Sequence, residues 1–140
     1  MKNNGQIDKV EYRYDDSSIP PEYHRSYIIS VTSNKAQIVI DVYGDIIVDT
    51  NFVIDTNQFA TLVTAAKQLE RAKSRIRKNV DGASYKGIRL YYQDEVIYNL
   101  YWDKAKKMEP YTTQFAEQIQ ALIPNLKELL DTPYIEEHFN

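Results

Sequence analysis

The chain has no cysteine. That excludes disulfides, a thiol nucleophile and thiolate metal clusters, and it is neutral about compartment. Histidine, the usual general base near neutral pH, occurs only twice, as His24 and His138. His24 lies in the loop segment Pro21-Glu22-Tyr23-His24-Arg25, and His138 lies close to the C-terminus. Neither has a metal-ligand spacing and no H-E-x-x-H occurs, so both are expected as solvated or turn-bound rings. Glycine is sparse too, with four residues. The segment Gly82-Ala83-Ser84-Tyr85-Lys86-Gly87 resembles two motifs and satisfies neither. A nucleophile elbow needs G-x-S-x-G, and here the second glycine comes one residue late. A phosphate loop needs G-x-x-x-x-G-K-[ST] before a helix, whereas Ile88 and Arg89 follow the glycine and open a strand. The segment is therefore expected as a plain helix-to-strand connection.

Long apolar runs are missing as well. None approaches the ~20 residues of a membrane span, and Met1-Lys2-Asn3-Asn4-Gly5 lacks the apolar stretch of a signal peptide. A soluble protein with no membrane partner is expected, cytoplasmic or the mature part of an exported protein without its leader. Asp41, Asp45, Asp49 and Asp55 recur without the every-second-residue spacing of a calcium loop. They are expected on the solvent face of a sheet (Asp41, Asp49), in a turn (Asp45) and at a helix cap (Asp55). No metal, cofactor or catalytic residue is nominated, and the balance leans away from an enzyme.

What the sequence does contain is a hydrophobic period that changes twice. At 140 residues it fits one domain spanning 1–140, which buries roughly 70% of its unfolded surface. Residues 1–8 and 133–140 are expected to be poorly ordered. Val10–Tyr14 alternates as a first strand, followed by a loop over Asp15–Glu22 containing Pro20 and Pro21. Tyr27–Thr32, Gln37–Tyr43 and Ile46–Ile54 continue as a meander with turns at Ser33-Asn34-Lys35 and Gly44-Asp45. In the last of these strands Ile46, Val48, Phe52 and Ile54 are expected to share a face.

Helical spacing then takes over. Asp55 and Gln58 stand as in a capping box. Phe59, Leu62, Val63, Ala66, Leu69 and Ile76 form a stripe through residues 57–78. A hairpin of Ile88–Gln93 and Val96–Trp102 is expected to turn around Asp94-Glu95. A second helix starts near Pro110 and carries Phe115, Ile119, Leu122, Leu126 and Leu129, with Pro124 set to kink or split it near Leu122. The fold class that follows is α+β: a mainly antiparallel sheet of five to six strands, in sequence order β-βββ-α-ββ-α, with two helices packed on one face.

Charge is unevenly spread. The net charge is −3, but residues 67–107 carry eleven basic and five acidic side chains. Lys67, Arg71 and Lys78 share one flank of the first helix, and Lys86, Arg89, Lys104, Lys106 and Lys107 follow. The same stretch is rich in aromatic residues, within a chain that holds twelve tyrosines and one tryptophan. In the hairpin, Arg89 and Tyr91 are expected opposite the core, as are Ile97, Asn99 and Tyr101. Both hairpin faces carry rings, which one-sided burial does not require.

The expected working surface is thus the sheet face without helices, through Tyr91, Ile97, Tyr101 and Arg89, together with the basic flank Lys67, Arg71 and Lys78. The expected function is a non-enzymatic protein-interaction or self-association module, with a protein partner or homodimer held through the open sheet face. Two alternatives stand beside it: a ligand-binding or enzymatic domain with a pocket between sheet and helices, and a nucleic-acid-associated protein using residues 67–107.

Overall fold

The structure, a computed structural model, describes residues 6–16, 19–72 and 84–134, with residues 70–72 as backbone only. Six strands form one sheet. They are β1 (Lys9–Asp15), β2 (Ser26–Thr32), β3 (Lys35–Val42), β4 (Asp45–Val53), β5 (Tyr85–Tyr92) and β6 (Glu95–Asp103). Their order across the sheet is β4-β3-β2-β1-β5-β6, and every neighbouring pair is antiparallel. β1 is therefore central, joining the β2–β3–β4 meander on one side to the β5–β6 hairpin on the other.

Period-two alternation decides which side chains enter the core. Val10 and Tyr12 of β1, Ile29 and Val31 of β2, and Ala36, Ile38 and Ile40 of β3 lie side by side in register and are fully or almost fully buried. Ile88, Leu90 and Leu100 continue the same face through β5 and β6. α1 (Thr56–Ala72) and α2 (Pro110–Gln120) pack on this face: Phe59, Leu62, Ala66 and Leu69 from one, and Phe115, Ala116 and Ile119 from the other, join a single core. α1 opens with the anticipated capping box. The Gln58 N–H donates to Asp55 Oδ1 at 2.8 Å, and the Asp55 N–H donates to Gln58 Oε1 at 2.9 Å. The anticipated continuation of this helix to residue 78 falls on residues 73–78, outside the described ones.

Pro124 splits the last helical stretch. α2 ends at Gln120, the chain tightens through Leu122 N–H to Ile119 O and Ile123 N–H to Gln120 O, and α3 (Leu126–Leu130) begins anew. Proline cannot donate the bond that a continuous helix would need there. Ile7, Asp8 and Tyr134, among the described residues, are tied to the rest of the fold. Ile7 belongs to the core, Asp8 Oδ2 accepts the Gln93 N–H at 2.9 Å, and the Tyr134 hydroxyl donates to Asp45 Oδ2 at 2.7 Å.

The structure differs from the sequence reading at two of the three tight turns, the β2–β3 turn at Ser33-Asn34 lying where the sequence puts it. The β3–β4 loop is Tyr43-Gly44, and the β5–β6 loop is Gln93-Asp94, one residue earlier than the alternation suggests. Both central residues have positive φ in each loop, 48° and 97° in the first, 51° and 69° in the second. Such turns match the right-handed twist of the strands they join. Each of these hairpins also contains a bulge, at Ile47 of β4 opposite the Ile40–Asp41 step of β3 and at Ile97 of β6 opposite the Leu90–Tyr91 step of β5. An extra residue on the partner strand reverses the alternation beyond that point. Ile46, expected inward with Val48, is consequently 62% exposed, while Ile47 packs against the core.

Candidate functional site

The open sheet face gathers three of the candidates. Arg89 opposes Glu11 and Asn99, while Gly87 lies between Arg13 and Tyr101. The Tyr101 ring lies across Gly87, in space that a Cβ at that position would occupy. The Arg89 guanidinium donates to the Tyr101 hydroxyl at 2.7 Å, and the Tyr91 hydroxyl donates to Glu11 Oε1 at 3.1 Å. Lys9 Nζ sits 4.2 Å from the centroid of the Tyr91 ring. Burial raises the Tyr91 phenol above its ordinary range; the Arg89 hydrogen bond opposes this and the Glu11 charge reinforces it.

The remaining candidates lie elsewhere. The β6 bulge sets Tyr91 opposite Val96 and leaves Ile97 without a partner across the hairpin, half-buried against the core. Lys67 is on α1, in the helix layer, and so is not assembled with the open-face group. Lys78 and the Arg71 side chain fall outside the described residues, as do Lys73, Arg75 and Arg77.

A histidine, two serines and an aspartate meet where the β1–β2 loop closes, and nothing in the sequence spacing marks the meeting. His24 is buried, stacked on Tyr43 with centroids 3.7 Å apart. Its Nδ1 accepts the Tyr43 backbone N–H at 3.3 Å, which places the ring proton on Nε2. Nε2 is then the donor, facing Asp16 O at 3.3 Å and Ser26 Oγ at 3.4 Å. The Asp16 carboxylate instead accepts the Arg25 N–H at 3.0 Å, with Ser84 Oγ 3.5 Å from its other oxygen. A nucleophilic triad needs the carboxylate on the far ring nitrogen and an unprotonated nitrogen facing the serine. This grouping has neither, and it serves as a clip for the loop.

The third place is a cleft of about 480 Å³ between the β5–β6 hairpin and α2. Lys86 reaches it from the helix-side face of β5, beside Trp102 and Tyr14 in register. Lys104, Lys106 and Lys107 reach it from the β6–α2 loop. That loop is shaped locally: Asp103 Oδ1 accepts the Ala105 N–H at 2.8 Å, and Asp103 O accepts the Lys106 N–H at 2.9 Å. Tyr12, Trp102 and Met108 supply the floor, and Thr113, Gln114 and Gln120 supply neutral polar groups from α2. Glu117 is the one carboxylate among the described lining residues.

Tyrosines link this floor to the core. Tyr12 and Tyr27 are hydrogen-bonded through their hydroxyls, and the Tyr27 hydroxyl accepts from Gln120 Nε2 at 3.0 Å. Lys104 Nζ donates to the Tyr14 hydroxyl at 3.1 Å, and that contact raises its pKa. Burial, followed by the neighbouring Tyr27 and Tyr14, pushes the Tyr12 phenol far above its ordinary value. It therefore stays protonated and neutral beneath the cations.

Among the described residues, no group of three or more His, Asp or Glu side chains is placed to hold a metal ion, and no helix is long and apolar enough to cross a membrane. Comparison with protein-family models and with curated protein sequences gives no match.

Proposed function

We propose that this protein is a binding module without catalysis of its own, and that its working site is the lysine-rimmed cleft, which takes an anionic ligand. One observation carries the reading: among the described residues, four ammonium groups meet one carboxylate around a concavity of about 480 Å³ with an apolar floor. Small-molecule sites have this form, roughly 300–1,000 Å³ of largely apolar lining with a few convergent polar groups. The His24 grouping, engaged as a loop clip, offers the cleft no base.

The test uses the chain's one tryptophan, Trp102, which lines the cleft and reports on it alone. Titration with citrate, pyrophosphate and a short glutamate peptide should give a saturable change in Trp102 emission with at least one of them. That change should weaken as salt rises from about 50 to about 200 mM. The Lys106→Glu/Lys107→Glu variant should lose about tenfold or more in affinity with an unchanged circular dichroism spectrum. Equal binding by the variant would reject the cleft.

A second reading, self-association through the open sheet face, is favoured by the group Lys9, Glu11, Arg89, Tyr91 and Tyr101. Mutual contacts already hold these side chains, so little freedom remains to be lost in an interface. The mixed charge of the face suits contact with a second copy of itself. Sedimentation should show a dimer for wild type and a monomer for Tyr91→Glu. Identical monomeric profiles would remove this reading.

A further inference from the structure

We infer that the ligand of the cleft is a nucleotide: a small phosphate ester whose phosphates meet the lysines and whose base lies toward α2. The inference rests on the anion-binding reading of the cleft and adds the class of ligand. Three features of the site carry it.

The first is the kind of cation. Among the described residues, the cationic lining is all lysine. A guanidinium fork pairs with a planar carboxylate or a phosphate in two parallel hydrogen bonds. An ammonium is a point charge that meets a tetrahedral phosphate oxygen from any direction. Several ammonium groups at the rim suit a group carrying more than one charge.

The second feature is polarity along the cleft. Lys104, Lys106 and Lys107 stand together at the β6–α2 loop, whereas Gln114, Glu117 and Gln120 lie along α2. The loop end has the field for phosphate, and the positive end of the α2 dipole, at Pro110, adds to it. The α2 end has neutral amides and one acceptor carboxylate, the groups that pair with the ring nitrogens and amino group of a base. Trp102, Tyr12 and Met108 give the organic part an apolar floor between the two ends.

The third feature is the shortness of the positive patch among the described residues. Asp103 and Glu109 flank the loop lysines in sequence, and Glu117 lines the same cleft. A nucleic-acid strand needs cations that track its backbone over many nucleotides. Among the described residues, the cations at this cleft are confined to its four lysines.

The experiment is a set of calorimetric and Trp102 fluorescence titrations at low salt, on wild type and Lys106→Glu/Lys107→Glu. The probes are ATP, ADP, AMP, adenosine, pyrophosphate, a hexaglutamate peptide and a single-stranded oligonucleotide. The expected order is ATP and ADP above AMP, with adenosine undetected. Pyrophosphate should bind about tenfold more weakly than ADP, because it lacks the organic part. The double variant should lose about tenfold in ADP affinity.

If pyrophosphate equals ADP, the nucleotide class is overturned while the anion cleft stands. Tighter binding of hexaglutamate or of the oligonucleotide also overturns it, in favour of a peptide or a strand. If no probe binds in a lysine-dependent way, the cleft reading and the nucleotide inference fall together.

Discussion

Phe115→Ala is expected to remove about 3–5 kcal/mol of folding stability, the range for emptying a buried aromatic site. Phe115 is 1% exposed and belongs to the α2 stripe that meets the central strands of the sheet. Its ring sits among residues of two rigid layers, α2 above and the sheet below, so the space it leaves closes poorly and the cavity adds to the lost burial. Domains of this size have about 5–15 kcal/mol to lose in all, so the substitution takes a large share. Urea unfolding should show the midpoint falling with the slope unchanged. Leu129→Ala on the half-buried α3 should cost visibly less. Equal losses at the two positions would contradict the assignment of the core to α2 rather than to the helix beyond Pro124.

The second large effect is expected at Gly87, where Gly87→Val should destabilise the protein by about 1–3 kcal/mol, as overpacking does. Strand propensity alone argues the opposite sign, since valine is favoured in strands and glycine is not. The difference is the Tyr101 ring, which occupies the space of the missing side chain. A valine expels that ring from the sheet surface and breaks the 2.7 Å bond from Arg89 to the Tyr101 hydroxyl. The combination Gly87→Val/Tyr101→Ala should recover much of the loss, and a double-mutant cycle measures that coupling directly. Stabilisation by the single change, or strict additivity in the double, would show that the ring does not depend on the glycine.

Legibility in the sequence followed the range of the interactions involved. Strands and helices were readable because alternation in Ala36–Val42 and three- and four-residue spacing in Phe59–Leu69 are local consequences of burial on one side. The capping box was readable because both partners lie within one turn. Bulges were not, because they depend on how two strands count against each other. Ile46 and Ile97 therefore lie in positions that neither strand shows alone.

The cleft was legible in part. Lys86, Lys104, Lys106 and Lys107 stood out as a basic run, but Tyr12 and Gln120 come from the two ends of the chain. Only the central place of β1 brings Tyr12 beneath those lysines. The ring stack of His24 on Tyr43 joins residues nineteen positions apart without any spacing signal. Its one local hint is the Pro20-Pro21 turn, whose carbonyls accept the His24 N–H.

That central place of β1 also bears on synthesis. The meander through Val53 is complete, with β1 as one of its borders, before the hairpin that will cover that border has been translated. From Val53 to Tyr92 a ribosome at ordinary speed takes roughly 2–8 s. During that interval the outward N–H and C=O groups of Lys9–Asp15 have no strand to meet, and the emerging protein carries an open edge at what becomes its middle. Glu11 and Arg13, charges placed on that strand, are then the gatekeepers of the nascent chain. In the finished sheet they become interior members of the row that Arg89 and Gly87 complete.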